Sequence, residues 1–409
     1  MLATTSSCVR RLAAGAAAVG QRSMSSGLQR KTHQQQHQAR RLRYSNWLAS
    51  SALGRRVAPA ALDTAASKED VLEFNRVFPD VVRDLTETGR HLDAPSATKR
   101  FAKVLQYNMT GGKKNRGLAV VLSYRLLARH EELASRNTEL AHIMGWALEM
   151  LHTSLLMTQD TLDEAKTRRG KPCWYLLPEF DTTPQTACND ATLLQTGLFQ
   201  LLATHFRNQP YYLDVVDLFH DVSHKAVIGQ LLDIETRRDR SLKLFTMDRY
   251  YLITKYKTAY HTFQMPVSLA LYMAGIQDPE IHRQAKTILM EMGKFYQVMD
   301  DFLDCYGDPA LVGPGTDIQD GKCTWLAVVA LQRASDQQRR FMQECYGSKE
   351  PEKVEAVRQL YDELGLPATY KSYEEQSYEL LCTQIQQISR GLPHKLFFKF
   401  LEKIYVKDP

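Results

Sequence analysis

The sequence predicts an all-α fold, a single-domain bundle of about ten or more helices spanning residues 63–409. Three observations carry that expectation. Apolar residues recur at helical spacing through almost the whole span, no stretch alternates long enough to read as a strand, and no short-period repeat is present. The interruptions hold Pro, Gly or Asn/Asp, the residues that end helices. At 409 residues, 44% hydrophobic and 24% charged, the chain can bury a large core.

Taken in order, helical patterning covers 69–88 and 98–107, parted by Pro95, then 117–132 after the Gly111–Gly112 turn. A long run over 138–166 ends where Pro172, Pro178 and Pro184 crowd the chain. Segments 190–207 and 211–240 are separated by Asn208 and Pro210, and 247–274 stops before Asp278 and Pro279 open 279–306. Gly307 through Gly315 precede 322–343, and 351–364 and 370–387 complete the series. No long flexible linker interrupts them.

The net charge of +6 is concentrated at the front. Residues 1–62 hold ten Lys/Arg and no Asp or Glu, which leaves the rest at −4 and argues against a general nucleic-acid surface. This Arg-, Ser- and Ala-rich segment reads as a mitochondrial transit peptide. A secretory signal is the alternative, with Leu12–Gly20 as its apolar run, but that run is rich in Ala and Gly and arginines recur as far as Arg56. Residues 34–38 are a low-complexity Gln/His stretch. Seven cysteines are scattered without a CxxC pair, which suits reduced, buried thiols. No apolar run is long enough to predict a transmembrane segment.

Candidate chemistry centres on FYQVMDDFLDCYGD, residues 295–308, which sets Asp300, Asp301 and Asp304 inside an apolar helical segment. Asp300 and Asp304 share a face, where like charges cost a few tenths of a kcal/mol unless a cation lies between them. A hard divalent ion such as Mg²⁺ suits carboxylate oxygens and substrate phosphates; a solvated acidic helix face is the alternative. A second acidic cluster, Asp160, Asp163 and Glu164 in QDTLDEAKTRRG, is followed at once by Arg168 and Arg169. Two such clusters facing each other across a bundle would hold metal ions and, with arginines nearby, a diphosphate. A glycine turn with Lys113 and Arg116 leads into a helix and can grip another phosphate, or serve as a basic surface turn.

The ordered motifs YNMTGGKKNRG, TRRGKPCWY, YKTAY, YQVMDDFLDCYGDP and GTDIQDGKCTW make residues 73–405 resemble the trans-isoprenyl diphosphate synthases, in particular their animal, insect-type farnesyl diphosphate synthase branch. The resemblance implies the isoprenoid synthase fold, helices around a central prenyl diphosphate cavity, and electrophilic alkylation. Ionisation of an allylic diphosphate, dimethylallyl or geranyl, is followed by capture of the cation by isopentenyl diphosphate and loss of a proton to the departing diphosphate. The implied cofactor is Mg²⁺, about three ions per site, with Mn²⁺ or Co²⁺ as alternatives. A homodimer is implied, and a heteromer with another synthase is a further expectation.

Residue by residue, the resemblance assigns Lys113, Arg116, His152 and Arg169 to isopentenyl diphosphate, and Arg168, Lys257 and Lys322 to the allylic diphosphate side. Asp160, Asp163, Asp300, Asp301 and Asp304 fall to the metals. Thr258 and Gln297 line the wall near the developing cation with the Lys257 carbonyl, and Asp233 is a further polar residue of the cavity. Asp317 is retained after the second acidic motif. Four features depart from the pattern. His152 stands in place of a glutamine and would bond a diphosphate when protonated. Gln159 replaces the first carboxylate of the first motif, which implies fewer metal ions there, with Asp160 or Glu164 as substitutes. Pro314 stands where a lysine is expected, and the C-terminus KIYVKDP lacks a fully basic tail. Ser154 and Leu155 occupy the cavity floor, leaving room for a longer product.

Three functions follow from this reading: a prenyltransferase making geranyl or farnesyl diphosphate, a terpene synthase of the same fold acting without isopentenyl diphosphate, or a weakly active or inactive prenyl diphosphate-binding subunit.

Overall fold

The computed structural model describes residues 66–90, 93–313, 315–389 and 391–405. The transit-peptide expectation for 1–62, Pro314 and the last four residues of the tail lie outside them. The described residues are almost entirely helical, with one two-residue antiparallel ladder, Thr167–Arg168 against Lys171–Pro172.

The first predicted helix is two: α1 (Lys68–Arg76) and α2 (Phe78–Arg90). Pro79 has no N–H to continue the first, and Ser67 starts α1 with a capping box to Asp70. Then follow α3 (Pro95–Met109), α4 (Asn115–Leu127) and the long α5 (Ser135–Leu162). α5 ends in a Schellman turn: Glu164 takes φ 52° and the Ala165 N–H donates to Asp160 O at 2.9 Å. Glu164 is therefore off the helix and exposed, a correction to its expected place among the helical carboxylates.

α6 (Pro184–Phe206) and α7 (Tyr212–Arg238) lead to α8 (Met247–Thr254), a π-helical segment Lys255–Gln264, and α9 (Met265–Met273). The sequence predicts one uninterrupted helix there. Glycines on two neighbours let the π segment in: a Cβ added at Gly229 of α7 would meet Lys257 N at 2.3 Å, and one at Gly293 would meet Ala259 Cβ at 2.4 Å. Such π-bulges are frequent at functional sites.

Gly293 belongs to α10 (Pro279–Tyr306), whose bounds match the expected ones. After the short α11 (Pro309–Val312) and α12 (Asp317–Asp320), the predicted 322–343 helix divides into α13 (Trp325–Arg333) and α14 (Asp336–Cys345). Ser335 and Gln338 form a capping box that restarts the chain direction. α15 (Pro351–Glu363) and α16 (Leu366–Gln386) follow, and α17 (His394–Tyr405) is an element the sequence reading missed, buried through Leu396, Phe397, Leu401 and Ile404.

Two apolar clusters make the core. One gathers α1 to α7 and α9 with Trp146, Leu198 and Phe219; the other gathers α8, α10 and α13 to α17 with Phe295, Phe302 and Tyr370. The π segment contributes Tyr260 to the first and Phe263 to the second. Polar side chains on the π segment are thereby held between α5, α7 and α10, which carry the acidic clusters.

Candidate active site

The glycine turn is built by backbone geometry. Gly111 and Gly112 have φ of 79° and 74°, and Lys114 enters α4 at φ 49°. A Cβ at Gly112 would lie 2.6 Å from Arg169 Nε, so glycine admits the arginine. Arg169 donates to Asn108 O at 3.2 Å, and Lys113 is exposed on the same turn. Two of the N–H groups at the start of α4 are already taken. Buried Glu149 of α5 accepts from Arg116 N at 3.1 Å and Gly117 N at 2.9 Å.

The Arg116 side chain is held by two partners the sequence did not connect. Its Nε and Nη2 donate to Thr262 Oγ1 at 3.2 and 2.8 Å, and Nη1 lies 3.0 Å from His152 Nε2. A guanidinium only donates, so His152 Nε2 accepts and its proton sits on Nδ1. Burial, and then the Arg116 charge, hold the His152 pKa well below the usual imidazole value. His261 is shifted the same way by burial and stacks on His152 at 5.6 Å. The expectation of a protonated His152 on a diphosphate is therefore corrected: it is a neutral acceptor orienting Arg116. Lys114, 4% exposed, was also overlooked. Burial lowers its pKa to about 8, and its Nζ donates to Gly111 O at 2.6 Å.

The first acidic cluster, at the end of α5, is met by two sets of ion pairs. Arg168 Nε donates to Asp160 at 2.9 and 3.2 Å, and its Nη2 to the same carboxylate. Gln159 Nε2 donates to Asp163 Oδ2 at 3.2 Å. Arg237 of α7 lies 2.8 Å from Asp163 Oδ1 and 3.5 Å from Asp233 Oδ2. Lys257 Nζ donates to that same Asp233 oxygen at 2.7 Å, and these cations hold the Asp233 carboxyl below its usual pKa against its burial. Arg237 was not anticipated.

The second cluster is different. Asp301 is 4% exposed, and both its oxygens are engaged: Oδ1 by Gln297 Nε2 at 2.9 Å, Oδ2 by Trp325 N at 2.8 Å. Asp301, expected among the metal ligands, instead ties α10 to α13, and it positions Gln297, which accepts from Thr258 Oγ1 at 2.9 Å. Asp304 accepts from Thr316 N and Asp317 N at 3.1 and 3.0 Å, while Asp300 is half-buried one turn earlier. Lys322 donates to Asp317 Oδ1 at 2.7 Å. Burial, and then the nearby Asp317, raise the Asp304 pKa to about 7.

Residues 98–364 match the family described as polyprenyl synthetase. The chain belongs to that family. Within it, the farnesyl pyrophosphate synthase of Murgantia histrionica is 49% identical over 340 residues, covering 83% of this chain and 82% of the relative. The farnesyl pyrophosphate synthase of Homo sapiens is 43% identical over 345 residues, covering 83% and 81%. A solved T. Brucei farnesyl diphosphate synthase complexed with risedronate superposes with a TM-score of 0.76 at 31% identity, covering 83% of this chain and 100% of that one. The likeness bears out the family resemblance and the all-α isoprenoid synthase fold.

The fit of a divalent ion differs between the two clusters of this polyprenyl synthetase. Asp300 and Asp304 fit: a carboxyl pushed up by burial and then by the neighbouring Asp317 is relieved by added positive charge. Among the described residues no three His, Cys, Asp or Glu side chains form a ready-made cage, and a Mg²⁺ completed by water and diphosphate oxygens does not need one. The Asp160–Asp163 end already has its charge matched by Arg168 and Arg237. Ser154 on the expected cavity floor is buried and donates to Leu151 O at 2.8 Å.

Proposed function

We propose that this chain is a prenyltransferase that condenses isopentenyl diphosphate with dimethylallyl or geranyl diphosphate to give geranyl and farnesyl diphosphate. The observation that carries the reading is the presence of two separate sets of cations in one site. Lys113, Arg116 and Arg169 gather at the α3–α4 turn, and Arg168, Lys257 and Lys322 border the acidic clusters. Two sets suit two diphosphates; ionisation of a single allylic substrate would leave the first set without a substrate to hold.

In this reading Arg116, pre-oriented by Thr262 and His152, meets the isopentenyl diphosphate with its guanidinium fixed before binding, which lowers the entropy lost on association. Arg168 and Lys257 border the allylic diphosphate, and their present partners Asp160 and Asp233 hold them in place. A divalent ion at Asp300 and Asp304, Mg²⁺ with Mn²⁺ or Co²⁺ as alternatives, supplies Lewis-acid stabilisation of the leaving diphosphate when bound. Thr258 and Gln297 present oxygens toward the cavity wall, where dipoles stabilise positive charge on carbon. The buried imidazoles of His152 and His261 stay neutral, so they add no charge that would repel that cation.

The test is incubation of the purified chain with geranyl diphosphate and Mg²⁺, with and without isopentenyl diphosphate. Farnesyl diphosphate formed only with isopentenyl diphosphate supports the reading; hydrocarbon or alcohol formed equally without it overturns it in favour of a terpene synthase. We also propose a homodimer, testable by sedimentation, and mitochondrial targeting by residues 1–62, testable by fusing that segment to a fluorescent reporter. Retention of the reporter in the cytosol would refute the targeting.

A further inference from the structure

The first acidic cluster has lost a carboxylate at Gln159, and the structure places a guanidinium against one of those that remain. Arg237 and Asp233 are one turn apart on α7, and Arg237 reaches across to α5. Its side chain is 14% exposed, Asp163 is 9% and Asp233 is 5%, so the pairing is shielded from solvent. The local charges close without any added ion: Asp160, Asp163 and Asp233 against Arg168, Arg237 and Lys257. A divalent ion at Asp163 would have to displace a buried guanidinium and leave it beside Lys257 in excess positive charge. Removing one partner of a buried pair costs several kcal/mol, because the other charge is left uncompensated.

The side chain facing Asp163 from α5 is Gln159, whose amide nitrogen donates to it. An amide donor there complements a carboxylate already neutralised by an arginine. A second carboxylate at 159 would instead lack a counter-charge. Gln159 and Arg237 therefore read as one arrangement, made by residues 78 positions apart that only the α5–α7 packing brings together.

We propose that Arg237 is a resident cation of the first acidic cluster: its guanidinium occupies the place beside Asp163 that a divalent ion would take. The diphosphate site thus uses fewer metal ions at α5 than at α10. This rests on the diphosphate-binding part of the proposed function, and its test does not depend on turnover.

The experiment is direct titration of Mn²⁺ into the full chain with saturating inorganic diphosphate, counting bound ions per chain by the loss of the free Mn²⁺ electron paramagnetic resonance signal. The unmodified chain, Arg237→Lys, Gln159→Asp and the double variant Gln159→Asp/Arg237→Ala are compared. The expected result is the same count for the first three and one additional ion for the double variant. An additional ion in Gln159→Asp alone would overturn the proposal, because the glutamine and not the arginine would then set the number. A double variant that folds, by circular dichroism, and matches the unmodified chain would overturn it too. Should the double variant not fold, Gln159→Asp still decides: no added ion supports the proposal, an added ion ends it. Ion counts as expected in a chain that forms no prenyl product would refute the prenyltransferase reading and leave Arg237 in its role.

Discussion

The two acidic clusters, alike in sequence, differ in how their charge is met. At the end of α5 every carboxylate of the helix has an arginine partner, Asp160 with Arg168 and Asp163 with Arg237. At the end of α10, Lys322 pairs with Asp317 and acts on Asp304 only through its charge, and burial pushes Asp304 up to about 7. In one cluster each aspartate meets an arginine; in the other a buried aspartate is pushed up by desolvation and by the carboxylate beside it. The difference teaches that an Asp-rich motif reports a place for cations, while the neighbouring helices decide whether those cations are side chains or metal ions.

The largest effect should come from the second cluster. Asp304→Asn keeps an acceptor for one of the two backbone N–H groups but removes the charge, and kcat should fall about 10³-fold, the upper range for loss of a preorganised electrostatic group. A loss under tenfold would break the contrast between the clusters. Next in size, Arg116→Ala should raise the KM for isopentenyl diphosphate by about 10- to 100-fold, as expected for a charge-assisted hydrogen bond. Thr262→Val should raise it severalfold with kcat little changed, since only the orientation of Arg116 is lost. A fall in kcat alone, for either variant, would place Arg116 elsewhere in the cycle.

The metal-free protein should also titrate at one cluster. The folded pKa of Asp304 is raised above its unfolded value, so its contribution to stability is fully present below about 3.8 and is lost as pH rises through about 7. The Tm of the metal-free chain relative to that of Asp304→Asn should fall across this window, and at neutral pH it should rise again when Mg²⁺ and inorganic diphosphate are added, because the unmodified chain holds the ion more tightly. A flat difference would mean that Asp304 is already neutralised. The smallest effect is expected at the first cluster: with Arg237 in place, Gln159→Asp should change kcat/KM by about fivefold or less, the size of one ordinary hydrogen bond. Gains of several orders of magnitude would show the first cluster to be damaged.

Comparison of particular residues shows where the sequence was legible. α10 was read to its bounds because its apolar spacing, the Asp278–Pro279 start and the Gly307 stop all agree. The π segment was not, because its sequence is helical and only Gly229 and Gly293 on neighbouring helices reveal the close approach that accompanies it. Among site residues, Lys113, Arg116, Arg168 and Lys257 stand out as cations in compact motifs. Glu149, Thr262, His261 and Arg237 do not, since each looks like ordinary helix content until its partner is known. Asp301 illustrates the opposite error, a motif carboxylate whose oxygens are consumed by Gln297 and Trp325.

Residue order alone specifies that the chain is a series of helices, that two of them end in acid-rich clusters, and that Arg168 and Arg169 follow the first of these. Those properties depend on spacing along one helix, which residue order specifies directly. Only the tertiary structure decided that Arg116 would rest on Thr262, 146 residues away, that Asp163 would face Arg237, and that His152 would stay neutral. Pairing and pKa depend on distance and burial between helices, and those are set by how the helices pack.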